Sequence, residues 1–195
     1  MGKKDCLFQI ADSQQGYFTS FQAERCGYAR SHFQRHLLSG DWIREQRGIY
    51  RLARYPVTDR PELVVWSLWS RSKQGEIQGV WSHETALDVY ELSDVMPLKM
   101  HMTVPISFRK RISIPPLLVL HYATLHEKEI RVQQGYFITT PLRTLIDVIE
   151  EGVLSHDLLL QALREALQKG LVSRRDIEAT GKESLIRGLL NELTI

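Results

Sequence analysis

The sequence is poor in cysteine, and its two residues, Cys6 and Cys26, do not stand at a metal-ligand spacing such as C-x2-C. That excludes a zinc ribbon and a disulfide-framed miniature scaffold. A bond between the two thiols is compatible with their number, but two independent small core residues are expected. Long apolar runs are missing as well: none approaches the roughly 18–20 residues that span a bilayer, so no membrane partner is expected. The opening MGKKDCLFQIADSQQG has no apolar stretch followed by a small-residue cleavage site, so it reads as no secretory signal. Cys6 also stands where a myristoylation motif takes Ser or Thr. A cytoplasmic location is expected. Repeats and low-complexity tracts are absent, and the net charge is only +2.

Motifs that carry chemistry are scarce too. There is no G-x-x-x-x-G-K-[ST], no G-x-G-x-x-G, no H-E-x-x-H and no carboxylate–carboxylate–lysine series of the nuclease kind. Ser82, His83 and Glu84 are neighbours in sequence, point in different directions and so form no relay. Ser82 reads instead as a helix cap, with Glu84 favourable in the first turn. Arg143 and Asp147, four apart, read as an exposed pair across one helical turn. His101, His121 and His126 are spread over strands and a loop and read as solitary structural residues. No catalytic residue, metal or cofactor is expected, and the chain is not read as an enzyme.

What is present is an uneven distribution of charge. Residues 1–54 hold nine Lys and Arg against five Asp and Glu, whereas the remainder holds sixteen against eighteen. Seven arginines fall between Arg25 and Arg54, against two acids, which marks an N-terminal segment facing a polyanion. The same segment has the punctuation of a compact fold. A first helix is expected near Asp5–Ser13. Thr19 and Gln22 form a capping box that starts a second helix at Ser20, which Gly27 ends after Cys26. A third helix is expected from Arg30 to Ser39, ended by Gly40. WIREQ and IYRL then read as two strands joined through Arg47 and Gly48. Helix–turn–helix followed by a β-hairpin is a winged helix-turn-helix.

On the third helix Phe33 and Leu37 share a face, and Ser31, His32, Gln34 and Arg35 lie away from it. Arg30 sits in the first turn. Because the N-terminal residues of such a helix enter the major groove, Arg30, Ser31, His32, Gln34 and Arg35 are the candidate base and phosphate contacts. Arg44, Arg47 and Arg51, around the hairpin, are candidates for the DNA backbone or the adjacent minor groove. A solvated surface or a protein-contact face would use the same residue types. Arg109, Lys110 and Arg111 form a second basic loop, a candidate secondary phosphate contact or plain surface.

Residues 54–61, RYPVTDRP, carry two prolines and read as a linker. The expected organisation is a winged helix over residues 1–55 and a larger domain over 60–195. The second part begins with a helix at Pro61, continues through short strands at LKMHMTV, LLVLHY and IRVQQGYFIT, and ends in helices from Pro141 onward. The fold class is therefore α+β, with a small β-sheet and C-terminal helices in the larger domain. Leu159, Leu163, Ala166 and Leu167 form one stripe, expected to pack internally.

The N-terminal segment resembles the winged helix of AbiEi-type antitoxins of type IV toxin–antitoxin systems. The resemblance rests on Gly16, Phe18, Thr19, Ala23, Gly27, Arg35, Leu37, Gly40, Trp42, Arg44, Gly48, Ile49 and Tyr50, and continues in SHETALDVYELSDVMPLKMHMTVP and in residues 139–179. It departs at Ala29, where similar proteins carry a Ser or Thr cap, so the third helix is expected to start a residue later or to fray. The resemblance implies a repressor that binds double-stranded DNA at inverted repeats upstream of its own operon; two copies would bind either as a preformed dimer or by self-association on the DNA. It further implies antagonism of a nucleotidyltransferase-like toxin without a stable complex. Two alternatives stay open: a stand-alone regulator whose C-terminal domain binds a ligand or protein, and a nucleic-acid-processing enzyme targeted by the winged helix.

Overall fold

The computed structural model describes residues 2–193, which divide into two compact units. The first comprises residues 1–79 together with 132–137; the second comprises 80–131 and 138–195.

The first unit opens with α1 (Lys3–Asp12), then β1 (Tyr17–Thr19) and α2 (Ser20–Arg25). The Thr19 hydroxyl accepts the Gln22 N–H while the Gln22 side chain takes the Thr19 N–H, so the expected capping box is formed in full. The third helix differs from expectation. A 3-10 turn at Arg30–His32 comes first, and α3 runs only from Phe33 to Leu38. Ala29 has the extended backbone of a cap but no side-chain oxygen, so the amides of this first turn receive no side-chain acceptor and the backbone tightens into i→i+3 bonding.

The strands β2 (Trp42–Gln46) and β3 (Ile49–Leu52) close the wing, and the antiparallel sheet has the order β1-β3-β2. Gly48 makes the turn between them at φ +75°. Gly16 precedes β1 at φ +89°, and a Cβ there would lie 2.5 Å from the Tyr55 ring, so both backbone and space demand glycine.

Phe18, Phe33, Trp42 and Tyr50 form the centre of this unit's core, with Leu7, Ala11, Ala23 and Cys26. Trp42 meets Phe18 and Phe33 edge-on at 4.8 and 5.2 Å. Cys6 and Cys26 are not independent thiols: they form a disulfide between α1 and the end of α2, with Cα atoms 5.6 Å apart. The capping box fixes where α2 starts and Gly27, at φ +88°, where it stops, and that end brings Cys26 against the same core on which Cys6 packs.

The next helix, α4 (Pro61–Trp69), has Pro61 in its first turn as expected, yet it belongs to the first unit and packs on β1 and β3. Its Leu63, Val64, Val65, Ser67, Leu68 and Trp69 are buried, nearly all the way round. The proline-bearing stretch 54–61 therefore lies inside this unit, whereas a domain boundary was expected there.

In the second unit β4 (Val80–Trp81) leads into α5 (His83–Val89), then β5 (Met100–Val104) and β6 (Leu118–Tyr122). The hairpin of β7 (Ile130–Gln133) and β8 (Tyr136–Thr139) turns at Gly135, and its tip clusters with the first unit. The five-stranded sheet has the order β6-β5-β4-β8-β7; β5 pairs antiparallel with β4 and parallel with β6. Four helices follow: α6 (Pro141–Glu151), α7 (His156–Gln168), α8 (Arg174–Ala179) and α9 (Glu183–Glu192). The Ser173–Asp176 capping box starts α8. Leu145 and Val148 of α6, Leu163 and Ala166 of α7, Ile177 of α8 and Ile186 of α9 build one core with Leu87 and Leu92. Leu159 and Leu167 lie against it, so the α7 stripe packs internally. The architecture is α+β, with the expected winged helix at its N-terminus.

Candidate nucleic-acid interface and a buried histidine cluster

The recognition face is built by what α3 buries. Phe33 is buried against Trp42 and Tyr50, and His36 stacks on Trp42 at 4.6 Å. Anchoring that side turns Ser31, His32, Gln34 and Arg35 outward, and all four are exposed. In the wing the register shifts between Arg44 and Gln46. This bulge accommodates Glu45, which accepts the Nε–H of Arg51 at 2.9 Å.

The eight arginine-face candidates therefore fall into two groups. Ser31, His32, Gln34, Arg35, Arg44 and Arg47 are exposed and engage no side-chain partner among the described residues. Arg30 pairs with Glu24 at 2.8 Å on the surface, and Arg51 is committed inward to Glu45 and the Tyr55 carbonyl. Arg109 donates to the carbonyls of Ile106 and Phe108, Lys110 lies over the Phe108 ring, and Arg111 is exposed; all three belong to the second unit.

The second unit holds a cluster that sequence reasoning missed. β5 and β6 pair His101 with Val119 and Thr103 with His121, and α5 brings His83 alongside. The His83 and His121 rings stack with centroids 3.6 Å apart, and His101 Nδ1 lies 3.0 Å from His121 Nε2. His101 Nε2 in turn lies 3.9 Å from a Glu84 oxygen. His126 is exposed on a loop and takes no part. The alternation of His101 and Thr103 on β5 signalled a polar face; that the face would be buried depended on the parallel partner strand, which alternation does not encode.

Two readings of this region need correction. Ser82 holds the N-cap position of α5, but its hydroxyl makes no cap bond. It accepts from Thr103 Oγ1 at 2.7 Å and meets His83 Nδ1 at 2.9 Å, so these sequence neighbours do touch. His83 has φ +52°, a left-handed backbone uncommon outside glycine, and this turns its ring onto Ser82 and His121. Arg143 and Asp147 do pair, at 2.7 Å, but Asp147 is buried, not exposed. Arg143 divides its guanidinium between Asp147 and Glu129.

Burial sets the charge states. It lowers the His83 pKa to about 3, helped by His121, His101 and Arg143, and it lowers those of His101 and His121 as well. At neutral pH all three imidazoles are uncharged. Burial raises the Asp147 pKa to about 6, against the pull of Arg143, while Arg143 is itself raised by Glu129 and Asp147 despite its burial. Both partners shift upward because Arg143 is shared and the second Asp147 oxygen, Oδ2, is buried without a hydrogen bond. His83, His121 and Glu151 each offer a ligand atom within 4.8 Å of the others, which makes them, among the described residues, a group able to hold a metal ion.

A core-anchored helix α3, a three-stranded antiparallel sheet with its wing and an outward basic face define a winged helix-turn-helix. Residues 7–53 match the family described as "Transcriptional regulator, AbiEi antitoxin", so this segment is similar to the winged helix of that regulator family. The match ends at Ala53, before α4. No curated protein matches the chain. Among the described residues no helix is long and apolar enough to cross a membrane.

Proposed function

We propose that this protein is a cytoplasmic transcriptional autoregulator and antitoxin of the type IV kind. It represses its own operon by binding inverted repeats upstream, and two copies meet on the DNA. It antagonises a nucleotidyltransferase-like toxin without forming a stable complex, and it acts by binding rather than catalysis. The observation that carries this reading is the exposed, uncommitted set Gln34, Arg35, Arg44 and Arg47 on an aromatic-anchored frame. Arginine and glutamine are the side chains that read guanine and adenine edges by paired hydrogen bonds. The toxin reading is supported by the family match over residues 7–53.

The test is fluorescence anisotropy with the gene's own upstream DNA against a shuffled duplex at several salt concentrations. Tight, salt-sensitive binding to the native fragment is expected, and equal or absent binding to both duplexes overturns the reading. For the antitoxin role, co-expression with a neighbouring nucleotidyltransferase should restore growth while the two proteins fail to co-purify.

A further inference from the structure

The regulator reading makes no use of the imidazole cluster of the second unit, in which His83 is buried and His121 half-buried, and its surroundings are specific. His83 and His121 each have one ring nitrogen engaged, His83 Nδ1 with Ser82 Oγ and His121 Nε2 with His101 Nδ1. That leaves His83 Nε2 and His121 Nδ1 without a hydrogen-bond partner among the described residues. Both residues line a cavity of about 310 Å³ together with Asp147, Glu150 and Glu151.

We propose that His83, His121 and Glu151 bind a divalent transition-metal ion of the zinc class. Two imidazoles and one carboxylate suit zinc, cobalt or nickel and disfavour magnesium and calcium, which take oxygen ligands. A three-ligand set leaves a fourth position for water. Asp147, whose Oδ2 is buried without a hydrogen bond, lines the same cavity. Ligand histidines need their other nitrogen fixed, and here Ser82 holds one ring while the His101–Glu84 pair stands behind the other.

Of the acids lining the cavity, Asp147 pairs with Arg143 and Glu150 with Lys182, so among the described residues Glu151 is the lining carboxylate left without an ion pair. Ligand atoms around a tetrahedral ion at ~2.0 Å stand about 3.3 Å apart. To bind the ion, the stacked His83 and His121 rings must tilt so that their in-plane lone pairs converge, and Glu151, exposed at the end of α6, must swing in from its place within 4.8 Å of both.

The experiment uses the full chain stripped with EDTA. It is titrated with Zn²⁺ against a chromophoric chelator, and with Co²⁺ followed by visible absorption. One ion per chain is expected, with the intense cobalt bands of a four- or five-coordinate site. Glu151→Gln should weaken Zn²⁺ binding at least tenfold, and His121→Gln should abolish it. His156→Gln, which alters an exposed histidine paired with Glu192, should bind as the parent does. Absence of binding overturns the proposal, as does binding that survives both Glu151→Gln and His121→Gln. Glu151 is exposed, so its substitution tests the site without risking the fold. Anisotropy of the stripped protein on DNA reports separately on the winged helix.

Discussion

Replacing Arg51 by alanine leaves Glu45 partly buried without its partner, since the pair's side chains are 13% and 28% exposed. A charged hydrogen bond of this kind contributes roughly 1.5–3 kcal/mol. Arg51→Ala should therefore lower the denaturation midpoint. Arg35→Ala, which removes an exposed and uncommitted guanidinium, should leave the midpoint unchanged and weaken operator binding. A lost base contact costs about 1–3 kcal/mol, so a tenfold or greater loss is expected by anisotropy.

Buried titratable residues make a second prediction, for EDTA-treated protein. The folded pKa of His83 is about 3, below its ordinary 6.5, so its contribution to stability is present above 6.5 and fades as pH falls toward 3. His101 and His121 shift in the same direction. Asp147 runs the other way: raised from 3.8 to about 6, its contribution is full below 3.8 and is lost as pH rises through 6. Three imidazoles oppose one carboxyl, so the urea midpoint should fall between pH 6.5 and 4. His83→Asn should flatten that fall and Asp147→Asn should steepen it. A midpoint that rises on acidification would contradict these assignments.

At the scale of the elements, the disulfide and the missing cap decide how firmly the recognition helix is held. Closing a loop of this length stabilises by on the order of 3 kcal/mol through the unfolded chain. Reduction, or joint Cys6→Ser and Cys26→Ser substitution, should lower the melting temperature of the winged helix with its secondary structure otherwise intact. Ala29→Ser supplies the absent acceptor and should raise stability by about 1 kcal/mol, read from denaturant midpoints. Local signals such as the Thr19 and Ser173 capping boxes, Pro61 and Gly48 were legible because each acts within a few residues. Ala29, set beside the Ser or Thr cap of the resembling family, pointed to a start one residue late; the three-residue delay to Phe33 and the 3-10 turn before it were not legible. The histidine cluster and the disulfide were not, because His83, His101 and His121, like Cys6 and Cys26, meet through distant segments.

For the molecule as a whole, charge is the measurable quantity. If Arg109, Lys110 and Arg111 touch phosphate, reversing their charges should flatten the salt dependence of binding, each lost contact reducing the log–log slope by about 1. An unchanged slope assigns that loop to solvent. The outer boundary of the first unit was the least legible feature, because proline spacing at 54–61 gives no sign that α4 packs back on β1 and β3.

That unit is also discontinuous, taking in residues 132–137 from the β7–β8 hairpin, where Gly135 sits so close to Gln14 and Val64 that a Cβ would lie 3.0–3.1 Å from them. A ribosome delivers the chain from its N-terminus, and domains fold as they emerge. Here the DNA-binding unit cannot complete its own packing until synthesis has passed Phe137. A nascent chain stalled before that point carries the first unit without its last piece, at a stage when residues 80–131, just under half of the second unit, have been made.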